Sequence, residues 1–528
     1  MQRKSGFRLP NGGVASFIVF IVMLAILSGL VWGGWTIMRG GAAAIPGLGR
    51  VIAGDHAPAD DGSGGEVTVA VTTGSPQSLD IRTDASDAVE QALLGNVYET
   101  LVGRDGNNKL QPSIASSWEA SDDGLTYTFH LNGGMKFSNG HTLDAGDVVW
   151  SLQQTVQNKY VQAAKLANLA SVSNPDPSTV TITLTAPNPD LLWLLSGRDG
   201  IVYDSEAQFD YATQAIGSGP FTLEAFTKDD ALVLRRNASY WNAQARAAAA
   251  KVTLRYVSDG TAAAKLLTDG TADALVQAPV SSLDALRSDG QITLAQGESN
   301  HRVMLGFNGK ADSIFSEVHL RQGFGYVIDR QRIADEQGAA EPIGGPIGKL
   351  DPGWEDLTGL YPHDSAKAHS VLDYFGYRYR LRLVYPDRFG ERIGQTIADE
   401  LKSFGYPNVS VQIVDEATWQ TQVVQNRDFD MTILSLDEAR DVFDLADPNL
   451  YLNYTDAQAE QLAAQAKAAV NDQQYDERLK ALARRLSENA IGDFLYAEKP
   501  WVAWRGGASG MPVNFTDSFL PLRSVSKA

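Results

Sequence analysis

The hydrophobic and polar positions change period several times along the chain, and each change marks an element. Val14 to Met38 shows no alternation; its 25 residues carry no charge and as a helix would reach about 37 Å, against a bilayer core of about 30 Å. That run predicts one N-terminal transmembrane helix at 14–38. Arg3, Lys4 and Arg8 on its amino side predict a cytoplasmic N-terminus at 1–13 and an extracytoplasmic bulk. The alternative is a cleavable signal peptide, with Ala42-Ala43-Ala44 as the cleavage region. Residues 39–65, rich in Gly, Ala, Pro and Asp, predict a flexible stalk.

Beyond Glu66 the period alternates between two and 3.6. Val67, Val69 and Val71 predict a strand, and Asp87 with Glu90, at capping-box spacing, opens a helix carrying Leu93, Val97 and Leu101. Leu125, Tyr127, Phe129 and Leu131 predict a strand with one buried face. Asn132-Gly133-Gly134 then turns the chain, and Met135-Lys136-Phe137 is expected to return as a hairpin limb. Asp144 and Asp147 suit the N-terminus of a helix through Val148, Val149 and Leu152. Further strands follow at Val180 to Leu184, Val252 to Tyr256 and His301 to Asn308. The order strand (Leu381, Leu383, Tyr385), helix (Ile393, Ile397, Leu401, stopped by Gly405), strand (Val409, Val411, Ile413) reads as a parallel layer in a second α/β lobe. Asp456 to Asn489 predicts one or two helices broken near Asn471.

Composition narrows the class. At 528 residues and 44% hydrophobic the chain exceeds one core and predicts at least two lobes. There is no cysteine, which excludes disulfides, thiolate metal sites and a cysteine nucleophile. The first fifty residues hold five basic and no acidic residues, leaving 39 basic against 63 acidic in the remainder, a net of −24. So acidic an exterior argues against nucleic acid as a partner. The seven histidines show no metal-ligand spacing, with His363 and His369 six apart in an expected loop. No GxSxG elbow or Walker-type loop occurs.

Several strings carry a resemblance. Ile114-Ala115-Ser116-Ser117-Trp118, Asp122 to Leu131, Gly134 to Gly140 and Ala145 to Ser151 are similar to the signature of the family 5 extracellular solute-binding proteins, the oligopeptide and dipeptide receptors of ABC importers. Asn96 to Val102, Gly217 to Phe221 with Arg236 to Trp241, Val318 to Arg332 and Phe429 to Ile433 match other strings of that family. The resemblance implies an α/β, two-lobe periplasmic-binding-protein-like fold of class II type. It places lobe I at 66–97, 217–300 and 497–528, an extra subdomain of lobe I at 98–216, and lobe II at 301–496. A hinge is expected around Arg302 to Asn308. It also implies capture of a peptide or related solute and its presentation to an ABC permease; a monomer without cofactor is expected, tethered to the cell membrane by the single pass at 14–38.

Candidate ligand residues follow from the same likeness: Ser75 and Gln77 in the loop after the first strand, Ser218 in the glycine turn, and Asn308 at the hinge. Family members place an aspartate after the Phe429 to Ile433 strand in a tryptophan-containing context. Here the run is Ser435 to Pro448, without the tryptophan, and offers Ser435, Asp437, Arg440 and Asp441. Trp193, Trp354 and Trp419 could stack on sugar rings, with core packing the better reading. Two other functions stay open: a membrane-tethered surface glycan hydrolase, and a sensory or structural module with a degenerate cleft.

Overall fold

The computed structural model describes residues 64–528 apart from Ala439. The expected membrane helix at 14–38 and most of the stalk lie outside the described residues, among which no helix is long and apolar enough to cross a membrane.

Three sheets organise the chain. In a seven-stranded sheet Glu66–Val71 is central, parallel to Lys251–Tyr256 and Ala274–Leu275. Ala231–Arg236 and Phe221–Thr227 extend one side, Trp501–Arg505 and Ile292–Gln296 the other. Val67, Val69 and Val71 enter a core closed by Phe515, Leu520, Leu522 and Val525 from the end of the chain. A six-stranded sheet runs in the order Ala340–Pro342, Gly492–Glu498, Arg302–Phe307, Met431–Leu436, Leu381–Pro386, Val409–Val414. Its last three strands are parallel, and the amphipathic helix Gly390–Phe404 covers them with Ile393, Ile397 and Leu401. The four-stranded antiparallel sheet Ala115–Ala120, Thr126–Leu131, Thr179–Leu184, Leu169–Asp176 has its own core around Phe129 and Ile182.

The helix Ala145–Gln157 begins in a complete capping box, Asp144 accepting from the Gly146 N–H and Asp147 from the Asp144 N–H. Helices Ala457–Lys467 and Asp472–Glu488 are separate, the second capped by Asn471.

Four local expectations change. Met135 to Phe137 forms no hairpin with Thr126–Leu131, because both edges of that strand are taken by Ala115–Ala120 and Thr179–Leu184; Lys136 bridges only Thr142. The helix Asp87–Leu93 is preceded by Ser86, and Glu90 turns to Arg198 rather than to a cap. That helix stops before Val97, where Gly95 takes a φ of 70° and the Asn96 amide donates to the carbonyls of Gln91, Ala92 and Leu520. His369 lies on the helix Ser365–Leu372.

The polypeptide passes from the seven-stranded to the six-stranded sheet between Gln296 and Arg302, and returns between Glu498 and Trp501. The crossing therefore precedes Arg302–Phe307, expected as the hinge and found as a strand with all six residues buried.

Gly217 packs so closely that a Cβ there would sit 2.0 Å from the Val97 carbonyl oxygen. Backbone cannot yield as a side-chain tip does, so Gly217→Ala is expected to destabilise by about 2 kcal/mol or more, read as a lowered melting temperature; an unchanged melt would refute this packing.

Candidate functional site

Where the two large sheets and the four-stranded unit meet, several polar contacts join them. The Arg440 guanidinium, just past the strand Met431–Leu436, reaches Asp190 before the short helix Leu191–Leu194. The Tyr475 hydroxyl donates to the same carboxylate at 2.7 Å. Asn108 donates to Asp351 at 2.8 Å, and Lys165 pairs with Glu438 at 2.7 Å. The Lys165 pair is largely exposed and worth little. Asp190 and Arg440 are mostly buried, at 17% and 16% side-chain exposure, so each requires the other.

Behind this contact lies a desolvated charge cluster. Arg302, 1% exposed, donates to the carbonyl of Glu438 at 2.8 Å and stands 3.8 Å from Asp351, which is 3.9 Å from Arg440. Burial lowers the pKa of Arg302 and raises that of Asp351. At Arg440 burial also opposes the charge, yet Asp190, Tyr475 and Asp351 outweigh it and the guanidinium is held firmly protonated. Burial lifts Asp441 to about 6, although its carboxylate accepts from the Glu438 N–H.

A cavity of about 290 Å³ opens beside the cluster. Five carboxylate residues line it, Asp437 and Asp517 among them, against Arg104, Lys165, Arg198 and His301. Trp193 contributes a ring, with the guanidinium carbons of Arg104 and Arg440 at 5.0 and 4.9 Å from its centroid. Arg198 is already spent on Glu90, at 2.8 Å, and on main-chain carbonyls. A second cavity of about 450 Å³ lies between the seven-stranded and four-stranded sheets and the end of the chain, lined by Glu99, Trp241 and Phe519 and again by Arg104.

Half of the residues selected from sequence come together here. Ser435 donates to Asp437 at 2.7 Å, Asp437 meets His301 at 3.1 Å, Asp441 accepts from the Glu438 N–H, and Arg440 reaches Asp190. The other four lie elsewhere. Ser75 and Gln77 bond to Asp229 in the turn between Phe221–Thr227 and Ala231–Arg236. Ser218 is fully buried and donates to Glu99, as do Tyr240 and Trp241. Burial still raises the Glu99 pKa. Asn308 is fully buried at the far end of its strand, donating to the Phe429 carbonyl at 2.8 Å. Trp419 is a core residue bonded to Thr432, whereas Trp193 lines the cavity. Arg104, Asp190 and Asp351 had no sequence signal, since each depends on a contact with a distant segment.

His301 sits on the crossing. Its bond to Asp437 raises its pKa above 6.5 against the effect of burial, with Glu498 and Asp87 adding to the rise. Burial pushes Asp437 up, but the bonds from His301 and Ser435 prevail and its carboxyl ends below its ordinary value. A raised histidine pKa contributes stability that is complete below the unfolded value and lost as pH climbs through the folded one. His301→Gln is thus expected to lower the melting temperature more at about pH 5.5 than at about pH 9; equal losses at both would dismiss the pair.

The fold has known counterparts. The ABC transporter substrate-binding protein CtaP of Listeria monocytogenes superposes with a TM-score of 0.77 over 88% of this chain and 99% of its own, at 20% identity. Heme-binding protein A of Haemophilus influenzae is 29% identical over 316 residues, 53% of this chain and 56% of that protein. The glutathione-binding protein of Salmonella choleraesuis is 27% identical over 302 residues, 56% of this chain and 58% of that protein. The aligned part thus spans just over half the length of these curated relatives. The model of the bacterial extracellular solute-binding proteins, family 5, matches residues 109–462, about two thirds of the sequence, and the chain belongs to that family.

Proposed function

We propose that this protein is the extracytoplasmic binding component of an ABC importer, capturing a small zwitterionic solute of short-peptide size between its lobes and presenting it to a permease. The observation that carries this reading is the interlobe cavity with charges of both signs on its walls. A zwitterion replaces its hydration shell there with fixed charges at opposite ends, which an apolar or singly charged solute cannot do. The volume of about 290 Å³ stands at the low end of the range of about 300–1,000 Å³ for ligand pockets. Among relatives named for heme and for glutathione, it suits a solute nearer the second in size.

The mechanism is binding without turnover. The lobe I unit at 66–97, 217–300 and 497–528 with its subdomain at 98–216, and the lobe II unit at 301–496, close on the solute about the paired crossings, and contacts made to both lobes only when closed shift the equilibrium to that state. The uncharged run at 14–38 would tether the monomer to the membrane with the binding unit outside.

Thermal-shift screening of the protein against di- and tripeptides, sugars and single amino acids tests this. A cognate peptide at 100 times its dissociation constant should stabilise by about 2.7 kcal/mol, and mass spectrometry should recover it unchanged. A panel in which only sugars shift the melt, or in which the bound peptide is cleaved, would overturn the reading.

A further inference from the structure

We infer that Arg104 receives a carboxylate of the solute, so that this side chain sets a preference for ligands with a free acid. This deepens, and rests on, the reading of the interlobe cavity as a solute site.

Arg104 ends the strand Val102–Arg104 and is 5% exposed. Its Nη1 donates to Asn108 at 3.0 Å and to Asp517 at 2.6 Å. Its Nε is buried with no hydrogen-bond partner. Trp193, against which the guanidinium stacks, also has a buried indole N–H without a partner. Both residues line the interlobe cavity, and Arg104 forms part of the wall of the second cavity as well.

Buried N–H groups without acceptors are uncommon because each forfeits its bond to water with nothing in return. Two such donors, on neighbouring residues that share one cavity wall, mark a place for an acceptor. The edge of a guanidinium that includes Nε is the edge that takes a carboxylate bidentately. Nη1 is fixed on the other side by Asp517 and Asn108, which orients the group before any ligand arrives. Of the other cations on this wall, Arg198 is held by Glu90 and the carbonyls of Ile81 and Asp84, Lys165 pairs with Glu438 at 2.7 Å, and His301 bonds to Asp437.

The full-length protein is titrated with trialanine and with trialanine amide, following tryptophan fluorescence. The free acid is expected to bind about tenfold or more tightly than the amide. Arg104→Lys keeps a charge beside Asp517 but lacks the planar edge, and should bring the two ligands within about threefold of each other. Trp193→Phe keeps an aromatic ring but removes the indole N–H together with its five-membered ring; it should reduce the preference by a smaller factor, and it decides the matter if the lysine variant does not fold. An acid preference that survives in the variants, or none in the wild type, overturns the role of Arg104 while the receptor reading stands. If neither peptide binds, the short-peptide reading fails on its own, and succinate against succinamide decides: no shift by succinate, or one that Arg104→Lys leaves intact, overturns the assignment too.

Discussion

Beside the junction of the lobes lies charge that has been taken out of water. Asp351 is 6% exposed and Arg302 1%, yet the nearest atoms of the pair are 3.8 Å apart, too far for a direct hydrogen bond. Removing two ions from solvent costs several kcal/mol each, and their attraction repays this only with good geometry and further donors. Asn108, Arg440 and the Glu438 carbonyl supply part of that repayment, from both sides of the junction. Buried ion pairs of this kind roughly break even in free energy against well-packed apolar residues of the same volume. A balanced junction is what a receptor needs, because a modest contribution from a solute can then shift the lobes.

Topology puts these charges together. The strand Met431–Leu436 runs parallel to Leu381–Pro386, and the loop leaving its carboxyl end carries Asp437, Arg440 and Asp441. Ligand sites of α/β sheets gather at such ends. In the seven-stranded sheet the loop leaving Glu66–Val71 leads to Ala85, Asp87 and Glu90 on the opposite wall. The two crossings lie between these loops, which is why His301 belongs to both the hinge region and the cavity lining.

Much of the framework was legible because its signals are local. The alternation from Tyr127 to Leu131, the aspartates at 144 and 147 and the spacing of Ile393, Ile397 and Leu401 each specify an element without reference to the rest of the chain. The expected hairpin after Leu131 failed for the opposite reason: strand pairing is a competition, and Thr179–Leu184, some fifty residues on, won the edge. The same limit governs the site. Asp437, Arg440 and Asp441 stood out as a charge run, whereas Asp190 is one aspartate after two prolines, and only the fold brings Tyr475 and Arg440 to it. Ser218 and Asn308 show the converse, since polar residues beside functional turns can be spent wholly on backbone and buried carboxylate.

The departure in Ser435 to Pro448 acquires a physical explanation from Arg440. An acidic residue there facing the solute would have met its ammonium group; the arginine points instead to Asp190 and stacks near Trp193. The loop therefore ties to the segment before Leu191–Leu194 as well as lining the cavity. Asp437 remains on the cavity wall, tied to His301 and Ser435, and other carboxylates stand across from it on Asp87, Glu90 and Asp517. On the proposed reading, positive charge on a solute would be met by a distributed set rather than by one anchoring aspartate. A distributed field discriminates poorly among cationic groups, because several arrangements have similar energy. Directional donors such as a guanidinium edge and an indole N–H admit fewer geometries, so on the proposed reading recognition would rest with the side that offers hydrogen bonds rather than with the side that offers only charge.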